Sequence, residues 1–344
     1  MTRIFLARTE EQKRFREVLR SLQPDAGWLS KNLPTMAKLL RAKKETLSTS
    51  PHIFLLYGEG GMGKTSLGWR FCELAREDFP NCFDVLRLDW EEAKNEYPSL
   101  NVGHESIRPE SVLETIYLAV SKGRKGIFEK YRQMGEKLKK IEEKVDKEFK
   151  VKQGKGAELD PNLQKSLRVI LGLLRKHPNL DQVLGGENSK TSEEISDLAA
   201  DAATNAFVGW LKWRLTLDEL RIYAKPHQQL AEALGHGLQT IAAKKPLVLL
   251  LDTYEIVDRL ECDRVLRMVI KAAGRRVVWA IAGRANLADS YRLSQDYFSG
   301  YRNEFSENLY VYPMSEFSQD QVIEYVIAQR RKIDKKGKAD KLKK

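Results

Sequence analysis

Cysteine is scarce in this chain, with only Cys72, Cys82 and Cys262 among 344 residues. The number is odd and no C-x-x-C pair occurs, so neither a disulfide framework nor a zinc ribbon is supported. The five histidines do not cluster with them, so no His/Cys metal centre is expected. Long apolar runs are also missing. PLVLLL falls far short of the about 20 residues that a membrane-spanning helix needs. The opening MTRIFLARTEEQ lacks the apolar core of a secretory signal. These absences lead us to expect a soluble cytoplasmic protein with no membrane partner.

Material for a core is present, since 42 % of residues are hydrophobic and 31 % charged. The length allows one large domain or two of ordinary size. The net charge of +11 permits an anionic partner such as nucleic acid. Lysine is concentrated in 122–155 and 330–344, where 122–155 alternates it with glutamate in the manner of a solvated helix face. No aromatic–basic stacking surface accompanies it, so nucleic acid is not the favoured partner.

Residues 9–22 (TEEQKRFREVLRSL) read as an amphipathic helix with Phe15, Val18, Leu19 and Leu22 on one face, and Thr9 with Gln12 resembles a capping box. Four apolar segments follow as buried strands: HIFLLY (52–57), FDVLRL (83–88), LVLLLD (247–252) and VVWAIAG (277–283). NLYVY (308–312) is a weaker fifth. Continuous rather than alternating apolar character fits strands of a parallel sheet covered on both faces. Helical patterns at 64–76, 109–121, 227–243 and 260–273 separate them, which argues for a layered α/β domain. The stretch between the second and third strands exceeds one crossover. Helical patterns at 127–149, 162–176 and 192–223 mark 122–224 as a helical insertion. The expected division is therefore 1–50 as an N-terminal segment, 51–121 with 225–313 as the α/β core, and 314–344 as the start of a further helical region with a basic tail.

The stretch YGEGGMGKTS matches G-x-x-x-x-G-K-[ST] as Gly58, Gly63, Lys64 and Thr65. A chance match in a chain of this length has a probability of roughly 1 % at ordinary residue frequencies. The spacing suits a phosphate-binding loop. Successive N–H groups of Gly58, Glu59, Gly60, Gly61, Met62, Gly63, Lys64, Thr65 and Ser66 would wrap a phosphate, where side chains would block close approach. Lys64 would bridge phosphate oxygens, and the Thr65 hydroxyl would meet Mg²⁺. The helix that follows would present its positive N-terminus to the anion.

A metal-side acid is expected at the end of the third strand, where Asp252 would stand beside Thr65. Glu255, three residues on, is the candidate general base for water attack, because Thr253 occupies the position directly after the aspartate. Arg284 ends the fourth strand. If that strand lies between the phosphate-loop strand and the aspartate strand, in the order 5-1-4-3-2, Arg284 can sense a γ-phosphate.

Together YGEGGMGKTSL, LVLLLDTYE and VVWAIAGR resemble the STAND class of signal-transducing P-loop NTPases, including the NACHT and apoptotic-ATPase types. FLARTEEQKRF is similar to the adenine-side element of that class, with Ala7 in the usual glycine position, Arg8 kept and Thr9 replacing the first acid. YPMSEFSQDQVIEYV resembles the start of the helical domain that follows the core. The resemblance spans about residues 3–20, 50–92 and 226–328. It implies an ASCE-type P-loop ATPase core of about five parallel strands that binds ATP and Mg²⁺, with Arg8 at the base. It further implies a slowly hydrolysing switch of bacterial defence or regulatory systems. Such a switch works as a homo-oligomer or with partner proteins that supply sensor and effector. Two other readings stand beside it: an AAA+-like ATPase acting on DNA in transposition or replication, and a nucleotide-binding scaffold without turnover.

Overall fold

Five apolar segments assemble into one all-parallel sheet in the computed structural model, which describes residues 8–23, 50–124, 126–152, 213–293 and 296–317 with isolated positions from 319 to 330. The chain divides into two units, Met1–Ile127 with Gly235–Lys344, and Phe128–Leu234.

In the first unit the helices and strands follow in the order α1 (Thr9–Leu22), β1 (His52–Tyr57), α2 (Lys64–Glu77), β2 (Asp84–Asp89), α3 (Trp90–Glu96) and α4 (Pro109–Ser121). The second unit contains α5 (Glu129–Lys152), α6 (Leu217–Ala224) and the beginning of α7 (Pro226–Lys244). The first unit then resumes with β3 (Leu247–Asp252), α8 (Leu260–Ala273), β4 (Val277–Gly283), β5 (Tyr291–Leu293), β6 (Asp296–Phe298), α9 (Arg302–Phe305) and β7 (Leu309–Pro313).

The sheet order is β2-β3-β4-β1-β7. Counting only these five parallel strands along the chain, this is 2-3-4-1-5, or 5-1-4-3-2 from the opposite edge. Every residue of β3 and β4 is buried, as central strands covered on both faces require. β2 and β7 are half-buried edge strands. The register sets Asp89 beside Asp252 and Tyr57 beside Gly283, so the carboxyl ends of β2 and β3, and of β1 and β4, finish level.

Aromatic packing fastens α1 and α2 to one face. The ring of Phe15 stacks on Phe71 at 4.2 Å and meets Phe54 edge-on at 5.2 Å. Elsewhere in this unit Asp263, 1 % exposed, accepts hydrogen bonds from the hydroxyls of Tyr254 and Tyr301, both at 3.0 Å, and from Arg267 Nε at 2.6 Å. A buried carboxylate is tolerated when it is paired in this way. The network ties the turn after β3 to α8 and to the start of α9.

Four local expectations need correction. Thr9 does not cap α1: the N-cap is Arg8, in a left-handed conformation with φ 63° and no side-chain cap bond. A capping box does occur at Thr216 and Glu219, where each side chain accepts from the other's backbone N–H. It starts α6 and interrupts the helix expected over 192–223. The second and the last of the expected strands each run one residue later, Asp84–Asp89 rather than 83–88 and Leu309–Pro313 rather than 308–312. The helix expected at 162–176, and 192–212 of the next, lie outside the described residues. The antiparallel β5–β6 pair was not expected from the sequence. In the second unit, Lys144 of α5 pairs with Glu219 of α6 at 3.2 Å.

Candidate functional site

The glycine-rich turn joins β1 to α2 at the carboxyl edge of the sheet. Gly58, Gly61 and Gly63 have φ of 143°, 83° and 83°, values that side chains rarely adopt. Gly58 is further constrained, because a Cβ there would lie 2.5 Å from the Met314 carbonyl oxygen. That contact follows from β7, whose continuation is held by a 2.7 Å bond from Met314 N–H to the Tyr57 carbonyl. Among the described residues no backbone carbonyl accepts from an N–H of Glu59 to Ser66. The turn thus gathers free donors at the N-terminus of a 14-residue helix, where the helix dipole adds positive potential. Lys64 folds back over it, its Nζ donating to the carbonyls of Gly58 and Glu59, both at 2.7 Å.

Thr65 reaches across to β3. Its Oγ1 donates to Asp252 Oδ1 at 3.0 Å, and the same oxygen accepts from Thr253 N–H at 3.0 Å. Asp252 is 1 % exposed, and its Oδ2 is buried with no hydrogen-bond partner. Burial raises its pKa above the ordinary value, and the Thr65 hydroxyl opposes that rise. An acid in this condition gains from a cation, which would supply the missing charge.

A second ring of polar groups holds this acid. Thr253, in a left-handed conformation with φ 58°, donates its hydroxyl to Asp89 Oδ1 at 3.1 Å. Asp89 also caps α3 through Glu91 N–H at 3.0 Å and accepts from Arg87 Nη2. Arg87 lies over the Trp69 ring at 4.2 Å and places Nη2 3.8 Å from Asp252 Oδ2. Sequence reasoning passed over Arg87 and Asp89. The available signal was that β2 ends in LRLD as β3 ends in LLLD, so that two parallel neighbours carry aspartates at the same level.

Glu255 and Arg284 are brought together. Arg284 Nε donates to Glu255 Oε1 at 3.2 Å, with Arg284 68 % and Glu255 23 % exposed. β4 lies between β1 and β3, so Arg284 follows the strand that separates the glycine turn from Asp252. Arg8 is held by the segment after β7. Its Nη2 donates to the Ser315 carbonyl at 2.6 Å, and its guanidinium lies 5.5 Å from the Phe317 ring centre. Phe317 in turn comes within 4.0 Å of a Cβ built on Gly63. Arg8 and the segment after β7 therefore meet beside the glycine turn, and Phe317 is the residue there that sequence reasoning missed.

Among the described residues no group of three His, Cys, Asp or Glu side chains could enclose a metal. Thr65 and Asp252 alone are a pair of oxygen donors. That set fits Mg²⁺, which keeps several waters and takes phosphate oxygens rather than a full protein cage. No protein-family model matches the chain, and no curated protein matches it.

Proposed function

We propose that the chain binds ATP with Mg²⁺ at the carboxyl edge of β1 and β3, as a P-loop NTPase of the ASCE type, and acts as a slowly hydrolysing switch. The observation that carries this reading is the Gly58–Thr65 turn, with its free N–H groups and its Thr65 hydroxyl on the buried Asp252. In this reading the N–H groups of residues 59–66 hold the β-phosphate. Lys64 releases the carbonyls of Gly58 and Glu59 and turns to the phosphate oxygens. Thr65 and Asp252 hold the metal, which draws charge from the phosphate oxygens when bound. Glu255 accepts a proton from the attacking water, and Arg284 is close enough to be released from Glu255 as charge arrives. Arg8 and Phe317 flank the base.

The same reading accounts for a switch. The segment that begins at Met314 touches Gly58 and reaches Gly63 through Phe317, so nucleotide in the turn and the packing of residues 314–317 are not independent. We take this as the route by which nucleotide would control self-association or docking of a partner in the cytoplasm. A scaffold that binds without turnover is the second reading, favoured by Thr253 in the position after Asp252 and its engagement with Asp89. Single-turnover hydrolysis separates the two.

The test of binding is titration calorimetry with ATP and Mg²⁺ on wild type and Lys64→Ala. A charge-assisted contact is worth about 1.5–3 kcal/mol, so the variant should bind at least about tenfold more weakly. Equal affinity in a folded variant overturns the reading.

A further inference from the structure

A cavity of about 290 Å³ lies against the turn after β3, lined by Lys94, Val102, His104, Ile107, Glu255, Ile256 and Asp258. All of these residues belong to the first unit. The lining has three parts. Val102, Ile107 and Ile256 form an aliphatic wall. Each carboxylate is engaged through one oxygen: Glu255 Oε1 with Arg284 at 3.2 Å, and Asp258 Oδ1 with His104 Nε2, which donates to it at 3.1 Å, while Glu255 Oε2 is buried with no hydrogen-bond partner among the described residues. Lys94, on α3, has no ion-pair partner among the described residues.

A binding cavity fixes its ligand by a few polar groups set in an apolar lining. Here the one cation without a partner calls for an anion, and the aliphatic wall calls for an apolar body beside it. The two engaged carboxylates disfavour a second negative charge and would reject a phosphate dianion. A singly charged carboxylate on a short branched chain satisfies each of these demands. A molecule of that size also fits the volume.

We infer that this cavity is a binding site for a small aliphatic carboxylate, held by Lys94 and packed on Val102, Ile107 and Ile256. The carboxylate can belong to a free acid or to an aliphatic amino acid, whose ammonium group would then face Asp258. Glu255 forms part of the wall, so a bound ligand sits against the residue assigned above as the base. That consequence, a ligand-dependent rate of hydrolysis, rests on the proposed function. The binding itself does not.

The experiment uses the full chain without nucleotide, so its result is independent of ATP. Three probes of similar shape are titrated and followed by amide chemical shifts: 4-methylpentanoate, leucine and 3-methylbutylamine. The expected result is saturable shifts at residues 94, 102–107 and 255–258 for at least one of the two acids, with 3-methylbutylamine weaker. Lys94→Met should weaken the acid about tenfold or more, the scale of a lost charge-assisted contact, and Lys94→Arg should restore most of it. Leucine binding more tightly than 4-methylpentanoate, with the advantage lost in Asp258→Asn, assigns the amino acid. The reverse order assigns the free acid. The inference is overturned if neither acid binds, if the amine binds as well as the acids, or if Lys94→Met leaves acid binding unchanged.

Discussion

Thr65 and Asp252 lie 187 positions apart in the chain and share a 3.0 Å hydrogen bond. The bond joins the ends of two strands that β4 separates, because Thr65 follows β1 and Asp252 ends β3. Each partner is placed by its own element. The glycine turn delivers Thr65 to the first turn of α2, and the continuous apolar run of β3 carries Asp252 into a site where it is buried. An acid is not retained in such a place for stability, because burial opposes its charge.

The first prediction follows from that cost. Burial raises the pKa of Asp252 in the folded chain. An acid with a raised folded pKa stabilises the fold at low pH and loses that contribution as pH rises through the folded value. Asp252→Asn keeps an acceptor for Thr65 and Thr253 and removes the charge. In the absence of ligand it should unfold at a higher temperature than wild type at neutral pH. The gap should close near pH 4. Scanning calorimetry checks this, and the same variant should lose Mg²⁺-dependent ATP affinity. A variant less stable than wild type at pH 7 would mean that Arg87 compensates the charge fully.

Gly58 provides a test by geometry. With φ 143° and the Met314 carbonyl 2.5 Å from a would-be Cβ, Gly58→Ala should cost about 1–3 kcal/mol, the range for a residue forced into a sparsely populated conformation. Gly60 lies in the same turn with nothing within 4 Å of its would-be Cβ, so Gly60→Ala should leave stability within about 0.5 kcal/mol. Urea denaturation of both variants gives the comparison.

The inner strands were legible because covered strands must be apolar throughout, and HIFLLY, LVLLLD and VVWAIAG are. The glycine spacing marked the turn for the same local reason. What holds Arg8 was not legible: it takes a left-handed backbone and donates to the Ser315 carbonyl, a partner 307 positions away that no local pattern announces. The Asp263 network was equally hidden. Tyr254, Asp263, Arg267 and Tyr301 are unremarkable in sequence and become a unit only when α8 packs beneath the turn. The capping box at Thr216–Glu219 was a local signal, obscured by reading 192–223 as one long helix.

His52 predicts the acid limb of stability. It is 8 % exposed, and burial, followed by Arg275 and Arg14, lowers its pKa to about 4. The unfolded chain therefore takes up this proton first. Stability is intact above the unfolded value of about 6.5 and declines as pH falls from there to about 4. The full loss is about 3 kcal/mol, at 1.36 kcal/mol per pKa unit. His52→Gln removes the titration. The stability of wild type minus that of the variant should be flat above about pH 7 and fall across this window. A difference that is constant from pH 4 to 8 would show that His52 stays neutral in both states or is hydrated in the fold.

The last prediction concerns Glu255 and Arg284. If Glu255 is the base, Glu255→Gln should bind ATP nearly as well as wild type and hydrolyse it roughly 100-fold more slowly, within the usual range for general-base catalysis. Hydrolysis at the wild-type rate would move the base elsewhere, with Asp258, which lines the same cavity, next to be tested. Arg284 has a separate role. In the described structure its partner is Glu255, so a γ-phosphate arriving beside β4 would compete for it. A nucleotide shifts an equilibrium only by its difference in affinity for the two states, and Arg284 is the residue placed to supply that difference. Arg284→Ala should keep ATP and ADP affinities close to each other, whereas wild type should distinguish them. Light scattering with each nucleotide reads the consequence. Wild type should change mass or partner binding between ATP and ADP, and Arg284→Ala should not. If mass and partner binding are the same with both nucleotides in wild type, binding does no more than stabilise the fold, and the scaffold reading replaces the switch.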